Sequence, residues 1–88
     1  MNHNQFVTAV KILVRNINKN SERIQWLEDV VSEWKYKVAV TKGKDVNLKV
    51  YLQESEESLK KIVEEQKALK KMLNLIYTLK QAGNFEKL

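Results

Sequence analysis

Apolar residues recur at alternating steps of four and three along the first third of the chain. Phe6, Val10, Leu13, Ile17, Ile24, Leu27, Val31 and Trp34 keep this rhythm, with Asn20 filling its one polar place. The positions furthest from the stripe, among them Thr8, Lys11, Arg15, Glu22 and Asp29, are polar. A helix with a period near 3.5 accounts for both sets. The pattern predicts a long helix over about 4–35, with Asn4 as its N-cap. Asn18 to Glu22 is polar enough to hold a break, with Ser21 as a second cap, but the stripe crosses it in register.

From about residue 36 to 53 the rhythm reads as two. Tyr36, Val38 and Val40 alternate with Lys37, Ala39 and Thr41, and Val46, Leu48, Val50 and Leu52 alternate with Asn47, Lys49 and Tyr51. β-branched enrichment around Lys42-Gly43-Lys44-Asp45 predicts a β-hairpin. The competing reading is two helices meeting at Gly43, with Asp45 capping the second. A third segment, about 56–82, returns to helical spacing through Leu59, Ile62, Gln66, Leu69, Leu73 and Ile76. Ser55 is its expected N-cap and Gly83-Asn84 its stop, followed by a short tail at 84–88.

The expected fold is therefore a single domain over 1–88, mostly α with a small β-hairpin. Two long helices would pack antiparallel along a coiled-coil-like seam, and the all-α helical hairpin is the alternative. The order helix, hairpin, helix resembles the topology of prefoldin-type chaperone subunits, but no residue motif accompanies it and no family follows. Gln66 and Asn20 are polar places in the two stripes, positioned to meet across the seam and set its register.

The apolar sector is too wide for one seam where the two helices should lie side by side. Val7, Ile12 and Val14 widen it near the start of the chain, and Met72, Leu75 and Leu79 near its end. Trp26 also lies off the stripe, and tryptophan is enriched at binding hot spots. These seven residues are the candidate protein interface, and they imply self-association, as a dimer, together with an unidentified partner protein.

Composition narrows the chemistry. The chain has 88 residues, two glycines, and neither proline nor cysteine. Without cysteine there is no thiolate nucleophile and no cysteine zinc site. His3 is the only histidine, so a nucleophile–histidine arrangement lacks a positioned base. The carboxylate neighbours Glu28/Asp29, Glu56/Glu57 and Glu64/Glu65 point in different directions on a helix. No catalytic, metal-binding or cofactor-binding residue is expected, and the chain is read as non-enzymatic.

The net charge is +5. Segment 36–53 holds Lys37, Lys42, Lys44 and Lys49 against Asp45 alone. A basic arm of this kind can track phosphates, and Tyr51 beside it can stack on a base. Nucleic-acid binding is therefore the alternative function. Lysine far outnumbers arginine, 14 to 2, which argues against base-edge readout, where arginine leads. The same bias, with eight asparagines, suggests AT-rich coding and a phage or mobile-element source. No window reaches the ~18 apolar residues of a membrane span, and the first residues lack the basic start and apolar core of a secretory signal. A cytoplasmic protein without a membrane partner is expected.

Overall fold

In the computed structural model, which describes residues 2–83, the chain is two long helices laid antiparallel. Helix α1 runs His3–Val40 and α2 runs Val46–Gln81. Five residues, 41–45, join them. The rod measures 64 × 16 × 14 Å.

Helix α1 is continuous, and the stripe through Asn20 prevails over the polar stretch around it. Its N-cap is Asn2, two residues before the expected Asn4. The Asn2 side chain accepts from the Gln5 backbone N–H at 2.9 Å, and the Gln5 side chain accepts from the Asn2 N–H at 3.0 Å. Asn4 has no glutamine three residues on, so only Asn2 can build this reciprocal box.

The β-hairpin is not present, and no strand occurs among the described residues. Residues 36–40 end α1 and 46–53 open α2. The helical stripe in fact runs through both. Val38 and Thr41 follow Trp34 by four and three, and Leu48 and Leu52 precede Ser55 and Leu59 by the same steps. All these residues are partly or largely buried, whereas Tyr36, Val40 and Val46 are more than three-fifths exposed. The alternation was thus a mixture of seam and solvent positions. Valine loses only tenths of a kcal/mol in a helix, while a lone two-stranded hairpin is marginal in water. The seam decides the outcome. The resemblance in topology to prefoldin-type subunits loses its hairpin with it.

The turn has its own chemistry. Gly43 N–H donates to the Val38 carbonyl at 3.0 Å and Lys42 N–H to that of Ala39 at 3.1 Å, which closes α1 with a Schellman motif. Lys42 and Gly43 both have positive φ, 55° and 72°. Asp45 then caps α2, accepting from the backbone N–H groups of Asn47 and Leu48. Ser55 is not a cap. It lies inside α2, where its hydroxyl donates to the Tyr51 carbonyl at 2.8 Å. Glu56 and Glu57 are accordingly mid-helix and exposed. At the far end α2 stops as expected, with Gly83 at φ 75°. The expected tail at 84–88 lies outside the described residues.

The seam is thin. Phe6, Leu13, Leu27, Val31 and Ile62 form its buried apolar core, joined by Gln66. Each end of the seam closes on an aromatic pair beneath an ammonium group. Phe6 meets Tyr77 edge-on at 5.7 Å with Lys80 over the Phe6 ring, and Trp34 meets Tyr51 at 5.2 Å with Lys37 over the Trp34 ring. These contacts lie within reach of cation–π attraction. No helix of the described residues is long and apolar enough to cross a membrane.

Candidate interaction surface

A two-helix layer buries one stripe per helix and leaves both flanks wet. With 100° per residue, Ile12 and Trp26 fall on one flank of α1, and Val7 and Val14 on the other. On α2, Met72, Leu75 and Leu79 share the first flank and Tyr77 the second. In an antiparallel pair like flanks adjoin, so the first flank is one continuous face. A shallow cleft on it, lined by Arg23, Ser58, Lys61 and Glu65 from the two helices, shows them meeting there.

The seven candidate residues therefore divide. Met72, Leu75 and Leu79 share one side of α2 near the open end of the rod, where the helix termini lie, and Ile12 stands at the level of Met72 on the same flank of α1. Ile12 is 52% exposed, Met72 52% and Leu75 59%. Trp26 stands further along the same face, 60% exposed. Val7 and Val14 lie across the rod, on the flank that also carries Tyr77, and Val7 is half-buried. The widened apolar sector is thus two patches, and the larger one shares its face with Trp26.

The lysines gather at the other end. Lys42 and Lys44 sit in the turn, and Lys49 on the first turns of α2 with its side chain passing close to Gly43. Lys37 is partly engaged, 3.2 Å from the Glu33 carboxylate and over Trp34. Tyr51 packs on Trp34 with half its surface still exposed. It belongs to the closed end of the seam rather than to the face of a strand.

Sequence periodicity placed Gln66 in the stripe, and the structure gives it a partner set that periodicity does not specify. Its side-chain amide donates to the Ile17 carbonyl at 2.8 Å and to the Ser21 hydroxyl at 2.9 Å. Its own Oε1 and the Nδ2 of Asn20 are buried without hydrogen-bond partners. The expected pairing of Asn20 with Gln66 is not made, and the Gln66 amide bonds to Ile17 and Ser21 instead.

His3 lies in the first turn of α1 with its ring 6.5 Å from that of Phe6. The three carboxylate neighbour pairs are exposed. Among the described residues no three potential metal ligands cluster. No known protein family, curated protein or solved structure matches the chain.

Proposed function

We propose that the chain is a non-enzymatic interaction module that self-associates as a dimer and offers an apolar flank to a second protein. The observation that carries this reading is the open end of the Trp26 face, where Ile12 on α1 and Met72 and Leu75 on α2 are each more than half exposed. The surface area agrees with it. The chain exposes 6841 Å², whereas a compact monomer of 10.4 kDa exposes about 5400 Å². A rod with so thin a seam gains from burying one of its faces. A phage or mobile-element source and a cytoplasmic location belong to the same proposal and rest on composition.

Light scattering over a concentration series tests the first half. A mass twice that of one chain supports self-association, and a single-chain mass at every concentration overturns it. Affinity capture tests the second half. A protein recovered in fixed ratio, resistant to nuclease and lost with Leu75→Glu plus Leu79→Glu, supports the apolar flank. The lysines collected at the turn favour a second reading, nucleic-acid binding. Capture of nucleic acid alone, lost with Lys42→Ala plus Lys44→Ala and weakened steeply by salt, would replace the first reading by that one.

A further inference from the structure

Six exposed residues on the Trp26 face of α1 recur every seven positions, Gln5, Ile12, Lys19, Trp26, Glu33 and Val40, and the last five are centred on Trp26. Read from Trp26 outward, those five are complementary to their own reverse. Lys19 and Glu33 stand one heptad to either side, and Ile12 and Val40 two. In a supercoiled pair a seven-residue column stays aligned along the rod. The same level of α2 carries the same symmetry. Ile17 meets Gln66 and Trp34 contacts Tyr51 across the seam. Counting inward from both contacts puts the level of Trp26 at residues 57–59 of α2. Glu54 and Lys61, both exposed and one heptad apart, lie on either side of it.

We infer that this face docks a second copy of the chain, antiparallel to the first, about a two-fold axis passing at Trp26. This rests on the self-association proposed above and gives it a geometry. Trp26 meets its own copy on the axis. Lys19 faces Glu33 of the second copy, Ile12 faces its Val40, and on α2 Glu54 faces its Lys61. A two-fold contact requires such self-complementarity of one patch. The other face-to-face arrangement keeps the open ends together. It would bring Arg23 opposite Lys61 of the second copy, with Glu65 in the same cleft, and Trp26 would no longer meet its own copy.

The size is sufficient. From Ile12 to Val40 the column runs about 42 Å at 1.5 Å per residue, and the rod is 16 Å wide. That footprint of roughly 700 Å² approaches the ~800 Å² each partner gives to a standard stable interface. Leu79 lies past the turn of the second copy in this arrangement, so both open ends stay accessible to another protein.

Charge exchange tests the geometry, with circular dichroism to confirm that each exposed substitution leaves the helices intact. Lys19→Glu alone and Glu33→Lys alone should each weaken the dimer by about tenfold, since each places two like-charge pairs across the axis. The double variant should recover most of the wild-type affinity. Trp26→Cys, in a chain with no other cysteine, should cross-link to itself under mild oxidation at concentrations high enough to offset the loss of the Trp26 ring. Recovery together with that cross-link supports the proposal. A dimer untouched by the single reversals, a double variant weaker than either, or faster cross-linking through Leu75→Cys overturns the axis while self-association stands. A wild-type chain that stays monomeric overturns both.

Discussion

The side-chain amide of Gln66 on α2 donates to the backbone carbonyl of Ile17 on α1 at 2.8 Å, in a residue only 5% exposed. It is the one buried polar residue of the described seam, where Asn20, Thr41 and Ser55 are only partly buried. Its second donor bond goes to Ser21, and its oxygen is left buried without a partner. An unmatched buried acceptor costs stability, and a polar layer that matches at one level only fixes which residues face each other. Gln66→Leu should therefore raise stability by about 1 kcal/mol, since it removes the orphan oxygen while keeping the volume. Gln66→Ala should lower it by about 2 kcal/mol by leaving a cavity. Thermal melts read both, at about 4–8 °C per kcal/mol for a domain of this size. The leucine variant should also lose its single register and give a mixture of masses in light scattering.

Asp45 alone starts α2 at the turn, with one carboxylate oxygen accepting from the Asn47 and Leu48 N–H groups at 3.0 and 3.4 Å. Asp45→Ala should cost about 1 kcal/mol, the usual loss for a cap. Asp45→Asn should keep most of it, because the amide oxygen still accepts. Chemical denaturation midpoints separate the two.

The turn spends two consecutive positive φ values, and only one falls on glycine. Lys42 at φ 55° carries a side chain where left-handed backbone is unfavourable for L-residues. Lys42→Gly should leave stability unchanged or raise it by up to about 1 kcal/mol, the relief of strain being offset by the entropy of a freer unfolded chain. Gly43→Ala should do the opposite. It places a Cβ at φ 72° and 3.0 Å from the Lys49 Cε, and a loss of about 1 kcal/mol is expected. If Gly43→Ala proves neutral in denaturant melts, the Schellman closure is not what holds the turn.

The two long helices and their facing stripes were legible because burial on one side imposes a period, and that period survives Asn20 and Gln66. The turn was legible only as an alternative, Gly43 with Asp45 as cap. Val38, Val40, Val46, Leu48 and Val50 satisfy a period of two over short stretches while Val38, Leu48 and Leu52 also satisfy the longer four-three rhythm. Extending the stripe past Trp34 to Val38 and Thr41, and back from Leu59 to Ser55, Leu52 and Leu48, separates the cases. Ser55 misled as a cap because a serine in the seam and a serine at a helix start look alike without that extension. The candidate interface was legible as excess apolar residues. Its division into two flanks was not, because that follows from which sides adjoin once the hairpin is antiparallel.

Two tryptophans give independent reports on the proposed dimer. Trp34 packs against Tyr51 inside one hairpin, whereas Trp26 is 60% exposed in the single chain and lies on the inferred axis. In a Trp34→Phe variant the remaining Trp26 should emit as a solvated indole at low concentration. Its emission should shift to the blue as the dimer forms, with a midpoint matching that of light scattering. In Trp26→Phe the Trp34 spectrum should not depend on concentration, because its neighbours come from its own chain. Loss of an anchoring aromatic at the centre of an interface commonly costs 2 kcal/mol or more, so dimerisation of Trp26→Ala should weaken by roughly thirtyfold or more. A Trp26 spectrum that stays constant while the mass doubles would move the contact away from Trp26 and leave the open end of the same face, at Ile12, Met72 and Leu75, as the surface that closes on itself.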